Sequence, residues 1–451
     1  MLKTAFVILT CKALSLVGRM VGKGSSLPGK ICLRMDPNIL KKIQLPSAIM
    51  AVTGSNGKTS TVEMIAHVLR SNGKKVAYNK EGSNQIEGVT TFLLNDCTLS
   101  GRVKSDIVLL ESDERFARHT FKHFHPTHYV INNLYRDQMT RNGHTEWMYD
   151  IVNQSVYDDT RLILNADDPM VARFGMNRDN VVWFGVERMP FSHENNDSVY
   201  NDGAYCPACK HPLSYDYYHY NHIGSYHCDH CGLHREKPAY AVTDASQEDQ
   251  YIVINGESRI ALSFNGVYHF YNTLAAFAAC RELGIPSTQI TDALQHYIMK
   301  NGRIMDFRVG EHEGTLLTSK HENSVSYDQS IRVAVRDQKA GTVIIIVDAI
   351  SRKYFTSETS WLWDIDFELL GAPHIKKIIL AGTYAYDLAT RFSYTDIPFD
   401  KIEVIENMDE AVQALRERAV GYIYGITCFS DKEKLLSRVE PVNPAKGGDE
   451  K

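Results

Sequence analysis

The feature that most constrains the fold is a glycine-containing loop between an apolar run and a helical pattern. The apolar run is 48–52, and the loop reads Thr53-Gly54-Ser55-Asn56-Gly57-Lys58-Thr59. Glycine lets backbone N–H groups converge on a phosphate, the lysine can reach the terminal phosphates, and the threonine hydroxyl can hold magnesium. A helix expected from about Ser60 to Ser71 adds its positive end. The sequence therefore predicts a triphosphate site.

The loop departs from the standard phosphate-loop spacing, because Val52 stands where an upstream glycine is usual. The alternative interpretation is a chance Gly-Lys-Thr in a surface turn. A buried strand before the loop and a helix directly after it argue against chance.

Length and charge limit the class of protein. A chain of 451 residues is too long for one core, so we expect two or three domains. The net charge of −5 gives no reason to expect nucleic acid or an anionic membrane as the main partner.

The N-terminus carries the apolar run 5–9 after Lys3, and Lys12 and Arg19 soon interrupt it. Without a small-residue cleavage pattern, a secretory signal is not expected. An amphipathic helix that packs on the body or on a partner fits better, and no segment is long enough to span a membrane.

Four of the nine cysteines form two Cys-x-x-Cys pairs, which eighteen residues separate: Cys206, Cys209, Cys228 and Cys231. This spacing is typical of a zinc ribbon, in which four thiolates surround one structural ion. Two disulfides or a redox pair are the alternatives, and a chain without an export signal disfavours them. Nearby histidines are spare ligand candidates: His222, His227, His230 and His234.

Apolar strands alternate with helical stretches along the rest of the chain, which predicts a mostly parallel, doubly wound α/β sheet. We expect a helical lead-in at 1–45 and an ATP-binding domain at 46–305 with a zinc-ribbon insertion at 203–236. A Rossmann-like α/β domain at 306–440 and a disordered tail at 441–451 complete the prediction.

Acidic residues follow two of the predicted strands. Glu111 comes directly after 107–110, at a carboxyl end where ligands gather in open α/β sheets, so it is a candidate magnesium ligand. Asp168 follows the strand at 161–164. The alternatives are a solvated acidic loop for Glu111 and a plain Asx turn for Asp168.

Six motifs in order resemble those of the Mur ligase superfamily, whose members use ATP to activate a carboxylate for amide formation. They are the phosphate loop, Glu111, Asn132-Asn133 with Arg136-Asp137-Gln138, Asn165-Ala166-Asp167-Asp168-Pro169, Gly266 to Asn272, and Gly302-Arg303. Gln138 replaces the usual metal-binding histidine, and His269 replaces an asparagine.

Two further features resemble the MurT branch of this superfamily, the ligase-like subunits of lipid II isoglutaminyl synthase. Only about 45 residues precede the phosphate-loop strand, and a four-cysteine ribbon interrupts the ATPase domain. Gln138 and the segments 24–30 and 360–368 also resemble MurT, so the resemblance covers essentially the whole chain.

The resemblance implies an ATP- and magnesium-dependent ligase that amidates the α-carboxylate of D-isoglutamate in the lipid II stem peptide. It implies a cytoplasmic protein that works at the cytoplasmic membrane face, in a heterodimer with the glutaminase GatD, which supplies ammonia. Lys58 and Glu111 would be catalytic, and Thr59 and Glu111 would hold magnesium. The nucleotide would contact Gly54, Ser55, Asn56, Gly57, Lys58, Thr59, Asn133, Asp168, Asn272 and Arg303.

One implied residue departs from the family. In this family, an aspartate of MurT completes the active site of GatD, and Phe355 is at the corresponding position in this chain. Glu358 is the nearest carboxylate, and Asp348 is a more distant one. The segment 320–324 also departs from its family pattern. Two alternatives therefore stay open: a divergent ligase that amidates another carboxylate without GatD, and a non-catalytic nucleotide-binding scaffold.

Overall fold

A computed structural model describes residues 2–20, 26–79, 84–138, 142–196, 198–262, 266–298, 304–348 and 358–442. The chain divides into two compact units. The first unit contains Met1–Tyr135, His144–Asp197 and Asn201–Ile298. The second contains Arg136–Gly143, Ser198–Tyr200 and Met299–Lys451.

The first unit is built on a nine-stranded sheet in the order β11-β10-β9-β6-β5-β4-β1-β3-β2. Seven neighbouring strands run parallel, and β10 and β11 add an antiparallel edge beside β9. The strands are β1 Ala48–Thr53, β2 Val76–Tyr78, β3 Ile107–Glu111, β4 His128–Ile131, β5 Arg161–Asn165, β6 Val181–Val186, β9 Tyr240–Ser246, β10 Tyr251–Ile254 and β11 Ser258–Ala261.

Ten α-helices belong to the described part of this unit. They are α1 Leu2–Met20, α2 Leu27–Met35, α3 Ile39–Lys42, α4 Lys58–Ser71, α5 Ile86–Asp96, α6 Ala117–Thr120, α7 Thr145–Asn153, α8 Pro169–Ala172, α9 Val267–Glu282 and α10 Ser287–Gln295. The alanine-rich α9 is buried along nearly its whole length, because its small side chains let it pack closely on α4 and on the sheet.

The N-terminal helices share the core of the first unit, and α2 packs against both α1 and α5. The backbones of α2 and α5 touch at Gly29, where an added Cβ would overlap the carbonyl oxygen of Glu87. The Gly29 N–H donates a hydrogen bond of 2.8 Å to Thr91 Oγ1. The absence of a side chain at Gly29 therefore permits this helix crossing.

The cysteine-rich segment lies between β6 and β9, two parallel neighbours in the sheet. It forms a separate hairpin of β7 Ser214–Tyr220 and β8 Ile223–His227. Buried aromatic side chains fill this small module: Tyr217, Tyr218, Tyr220 and Tyr226.

The second unit contains a seven-stranded sheet in the order β16-β15-β14-β17-β13-β12-β18, with parallel pairing from β16 to β13. Its strands are β12 Ile304–Val309, β13 His312–Ser319, β14 Gly341–Ile346, β15 Ile375–Ala381, β16 Ile402–Ile405, β17 Tyr422–Cys428 and β18 Glu440–Pro441. Apolar cores cover both faces. Within the described residues of this unit, the α-helices are α11 Ser324–Arg336, α12 Ala385–Phe392, α13 Met408–Arg418 and α14 Lys432–Leu436.

The predicted α/β class with parallel sheets is confirmed, and the predicted apolar runs form strands. The helix after the phosphate loop begins at Lys58, two residues earlier than expected, because Gly57 already serves as its N-cap. The domain boundaries stay predictions, and most of the predicted tail lies outside the described residues. Within the described ranges, no helix is long and apolar enough to cross a membrane.

Candidate active site

The phosphate loop follows the carboxyl end of β1 and has the backbone that its glycines predict. Gly54 and Gly57 have φ values of +140° and +81°, which L-residues rarely adopt. Gly57 is the N-cap of α4, and no described side chain caps this helix. The first-turn amides of α4 therefore present partial positive charge, as an anion site requires.

Residues that follow β4 hold the loop in shape. The Asn56 N–H donates to Asn133 Oδ1 (2.8 Å), and Asn133 Nδ2 donates back to the Asn56 carbonyl (3.2 Å). The Ser55 N–H donates to the Asn133 carbonyl (3.0 Å), and the Tyr135 N–H donates to Ser55 Oγ (2.9 Å). Asn133, predicted to bind nucleotide, is thus placed as a brace of the loop.

Lys58 lies over the loop, where its ammonium donates to the Gly54 carbonyl. It also forms an ion pair of 2.5 Å with Glu114 Oε1, and both side chains are nearly buried. Glu114 thus occupies the Lys58 ammonium that the predicted nucleotide phosphates would contact. Thr59 lies next to it in the first turn of α4, partly exposed.

Glu111 ends β3, directly beside Val52 of β1. The Asn79 side chain forms two hydrogen bonds with the Glu111 backbone. Asn79 Oδ1 accepts from the Glu111 N–H, and Asn79 Nδ2 donates to the Glu111 carbonyl, both at 2.8 Å. Asn84 Nδ2 donates to Glu111 Oε1 (3.2 Å). The carboxylate is therefore held at the carboxyl end of the sheet, where a nucleotide-bound metal would need it.

Asn272 lies in the second turn of α9 and packs against Gly57, where a Cβ would overlap Asn272 Oδ1. His269 is one turn earlier in the same helix and only 2 % exposed. Burial lowers the pKa of His269 to about 4, so the ring is neutral at pH 7.

Asp168 is fully buried and caps α8, with Oδ1 accepting from the amides of Met170 (2.9 Å) and Val171 (3.3 Å). Its Oδ2 accepts from the Leu134 amide (2.8 Å). The described partners of Asp168 are thus structural, and its contact with nucleotide stays a prediction.

The two cysteine pairs form matching turns. The Cys206 amide donates to the His211 carbonyl (2.7 Å), and the Cys228 amide donates to the Leu233 carbonyl (2.7 Å). The residue after each second cysteine has positive φ, +64° at Lys210 and +75° at Gly232. The hairpin brings the turns together so that all four Sγ atoms lie within 4.8 Å of one another.

The sulfur cluster fits a tetrahedral metal. The Cys206–Cys231 and Cys209–Cys228 sulfur pairs are both 3.5 Å apart, near the roughly 3.8 Å that a zinc–sulfur bond of about 2.3 Å gives in a tetrahedron. Hydrogen bonds from the Cys231 and His230 amides lower the pKa of Cys228, whereas the neighbouring thiols help to raise the pKa of Cys209, so the sulfur geometry is what supports a metal here. His211 and His230 stack beside the cluster, 3.5 Å apart.

The triplet 136–138 belongs to the second unit. Asp137 is buried, forms an ion pair with Lys320, and accepts from Asn323 Nδ2 (2.9 Å). Gln138 has a positive φ of +47°, and its amide donates to the Glu322 carbonyl (3.0 Å). Lys320 and Asn323, in the segment 320–324, thus both bind the carboxylate of Asp137.

Glu358 is also in the second unit, partly exposed, and accepts from the Ser360 amide (2.7 Å). Hydrogen bonds from the Ser360 hydroxyl and amide lower the pKa of Glu358, so the side chain is a carboxylate at neutral pH. An open groove of about 250 Å³ begins at the next residue and is lined by Thr359, Leu362, Trp363, Tyr386, Asp387 and Thr390.

Asp348, the more distant candidate, already accepts from the Thr383 amide and hydroxyl and pairs with Lys434 at 2.6 Å. Phe355 and the predicted nucleotide ligand Arg303 lie outside the described residues.

Sequence reasoning missed three residues that contact the phosphate loop or Glu111. Glu114 is three residues beyond Glu111 in the same acidic stretch, Asn79 directly follows β2, and Tyr135 follows β4. Their position at the carboxyl ends of parallel strands was the available signal.

Two family profiles match the chain: the Mur ligase middle domain over residues 52–206 and the MurT ligase C-terminal domain over residues 321–430. A pseudomurein peptide ligase type C from Methanothermus fervidus shares the fold, with a TM-score of 0.68 and 20 % identity over 89 % of this chain and 80 % of that one. MurF from Acinetobacter baumannii gives a TM-score of 0.63 and 15 % identity over 91 % and 80 %. The fold is thus that of the Mur-type ligases, and the Mur ligase middle-domain profile includes the phosphate loop.

Proteins of similar sequence identify the family more closely. The subunit MurT of lipid II isoglutaminyl synthase from Staphylococcus aureus (strain COL) is 33 % identical over 84 % of this chain and 85 % of its own length. The subunit of the same name from Streptococcus pneumoniae (strain ATCC BAA-255 / R6) is 29 % identical over 97 % and 98 %. The chain belongs to the MurT family.

Proposed function

We propose that this chain is the ATP-dependent half of a two-subunit amidation, in which the α-carboxylate of D-isoglutamate in lipid II becomes D-isoglutamine. The observation that carries the proposal is the similarity to MurT subunits over most of the chain, together with the braced loop around Lys58. The reaction would take place in the cytoplasm, at the membrane face where lipid II is exposed.

The chemistry uses the residues at the carboxyl ends of β1 and β3. The substrate carboxylate attacks the γ-phosphorus of ATP, ADP leaves, and an acyl phosphate forms. Ammonia then attacks the carbonyl carbon and phosphate departs. Lys58 neutralises charge on the transferring phosphoryl group, and the first-turn amides of α4 hold the phosphates. Magnesium would neutralise further phosphate charge, with Thr59 and Glu111 as its protein ligands.

Ammonia comes from a GatD-type glutaminase in this proposal. Glu358 would supply the carboxylate that orients the histidine of the partner, because its carboxylate is ionised and lies next to an open groove. Trp363 and Tyr386 line that groove and are 43 % and 65 % exposed, and such aromatic side chains are typical anchors of protein interfaces.

We further propose that the four clustered cysteines hold one structural zinc ion. Four sulfurs leave no open coordination position, so the metal would stabilise the hairpin insertion and take no part in catalysis.

The test is amidation of purified lipid II by this chain co-expressed with a GatD-type subunit, followed by mass spectrometry. We expect glutamine- and ATP-dependent conversion of the carboxylate to the amide. Lys58→Ala should lower the rate by about three orders of magnitude, as loss of a phosphate-stabilising cation does, whereas Lys74→Ala, at an exposed lysine, should not.

Each alternative predicts a different result. A divergent ligase would turn over ATP with another carboxylate and free ammonium and would not need the partner. A scaffold would bind nucleotide while Lys58→Ala left every activity of the complex unchanged. A stable complex that makes no amidated lipid II contradicts the proposal.

The partner contact has its own test. Trp363→Ala should weaken co-purification of the GatD-type subunit at least tenfold, which is typical of a central aromatic anchor. Glu358→Gln should leave the complex intact and abolish glutamine-dependent activity, with ammonium-dependent activity retained. If ammonium-dependent activity is also lost, Glu358 has another role.

A further inference from the structure

The outward face of α1 is apolar although it has no described partner. The exposed side chains recur with a helical period and form one stripe along the helix: Leu2, Phe6, Leu9, Ala13, Leu16 and Met20. Leu2, Leu16 and Met20 are 91 %, 64 % and 82 % exposed. Residues spaced by three and four positions share a face, so the stripe is continuous for about 27 Å.

The opposite face of α1 is the one that the protein covers. Val7, Ile8 and Cys11 are completely buried and belong to the core of the first unit. The two faces therefore have separate roles: one anchors the helix to the body, and the other is apolar without serving that core.

The concentration of exposed apolar side chains here is unusual for this chain. Of the 21 large hydrophobic side chains that are exposed in the described residues, six lie on α1, and Leu27 at the start of α2 is a seventh. Single exposed hydrophobic residues are normal, but a continuous patch marks an interaction surface.

The charge of the N-terminal segment favours one class of partner for the stripe. The first 35 residues carry six lysines and arginines and no acidic residue, whereas the whole chain has a net charge of −5. Lys3, Lys30 and Arg34 are exposed on α1 and α2. An apolar helix face with only positive charges in its segment complements the surface of an anionic bilayer.

We propose that α1 lies in the plane of an anionic lipid bilayer, with the stripe from Leu2 to Met20 inserted at the headgroup level and the exposed cations Lys3, Lys30 and Arg34 on lipid phosphates. The net negative charge disfavours a membrane as partner only for the chain as a whole, because the N-terminal segment has the opposite sign. The described helices are too short or too polar to span the bilayer, so the contact is interfacial.

This inference goes beyond the proposed amidation, and vesicles without lipid II test it. Full-length protein is sedimented with vesicles of phosphatidylglycerol and phosphatidylcholine, and with vesicles of phosphatidylcholine alone. We expect binding to the anionic vesicles that is at least about tenfold stronger and that falls with added salt.

Two variants provide a matched comparison. Phe6→Glu places a carboxylate in the stripe, and Phe399→Glu makes the same change at a similarly exposed phenylalanine of the second unit (62 % and 68 % exposed). We expect Phe6→Glu to lower vesicle binding at least about tenfold, because a charge replaces an inserted aromatic ring. Phe399→Glu should bind as the unmodified chain does, and circular dichroism checks that both variants are folded.

Three results would overturn the proposal: no binding to anionic vesicles, equal loss in both variants, or equal binding to neutral vesicles. If the stripe instead seats a second copy or the partner subunit, Phe6→Glu will dissociate a dimer or the complex in sedimentation velocity. Vesicle binding will then be absent, and the membrane proposal fails. Since ATP and lipid II are not in the assay, a failed amidation leaves this result unaffected.

Discussion

Lys58 of the phosphate loop is paired with Glu114, which follows β3. Their ion pair of 2.5 Å is almost buried, and the Lys58 ammonium also donates to the Gly54 carbonyl. A nucleotide must therefore draw Lys58 away from a carboxylate that competes with phosphate for the same cation.

Glu114→Gln tests this competition. We expect nucleotide affinity to rise by about fivefold, equivalent to about 1 kcal/mol, because a neutral amide holds Lys58 less tightly than a carboxylate does. Titration with a fluorescent ADP analogue in the absence of magnesium measures the change, and Glu248→Gln at an exposed site is the control. Weaker binding would show instead that Glu114 supports the bound nucleotide.

At the scale of elements, the hairpin insertion depends on four sulfurs contributed by two matching turns. The turns flank the hairpin in sequence and meet at its open end, where Ser214 pairs with His227, so a shared metal would fasten the two ends of the insertion to each other.

Cys209→Ser should remove the bound zinc and lower the melting temperature by several degrees, because three ligands hold the ion less tightly than four do. Metal content by mass spectrometry and thermal unfolding measure the two effects. Cys428→Ser changes a cysteine of the second unit and should leave about one zinc per chain. A chain without zinc before any substitution would refute the metal assignment.

The crossing of α2 and α5 gives a second prediction at this scale. Gly29→Ala should destabilise the protein by about 1–3 kcal/mol, since the new methyl group overlaps the Glu87 carbonyl and must push the helices apart. Gly371→Ala is the matched control, because a Cβ at Gly371 meets only Ile397, at 3.7 Å. Denaturant midpoints compare the two variants, and equal shifts would mean that the crossing adapts without strain.

At the scale of the whole molecule, stability should depend on two buried histidines of the first unit. Burial lowers the pKa of both His219 and His269 to about 4. The unfolded chain takes up protons near pH 6.5 while the folded chain does not, so stability falls as the pH decreases from about 6.5 toward 4.

His269→Asn, which replaces the buried imidazole by an uncharged amide, should remove part of this pH dependence. Between pH 7 and pH 5 we expect the wild-type chain to lose about 2 kcal/mol more than the variant, because one such histidine contributes about that amount. Urea unfolding at both pH values provides the measurement, and the exposed His296→Asn is the control. An unchanged pH dependence in His269→Asn would mean that His269 titrates in the folded chain.

Much of this molecule follows from short-range pattern. The runs 48–52 and 107–110 are apolar without alternation, as is typical of strands covered on both faces, and both form interior strands of the parallel sheet. The spacing of the two Cys-x-x-Cys pairs likewise predicted that the four sulfurs lie close together, because each pair forms a local turn that can be recognised in the sequence.

The less regular elements could not be predicted in this way. The antiparallel strands β10 and β11 lie at one edge of the first sheet, and short edge strands of this kind have a weak apolar pattern. The predicted helix start at Ser60 was late, because the residues of the loop itself begin the first turn.

The sequence by itself determined the class of fold, the phosphate loop and the four-sulfur cluster, since each depends on residues that are close along the chain. Only the tertiary structure decided which side chains contact the residues of the site. Glu114 forms an ion pair with Lys58, and the side chains of Asn79 and Asn133 form hydrogen bonds with the backbones of Glu111 and Asn56. The tertiary structure also left one face of α1 apolar and exposed. Those contacts join segments tens of residues apart, and the packing of the sheet brings together partners that no local pattern identifies.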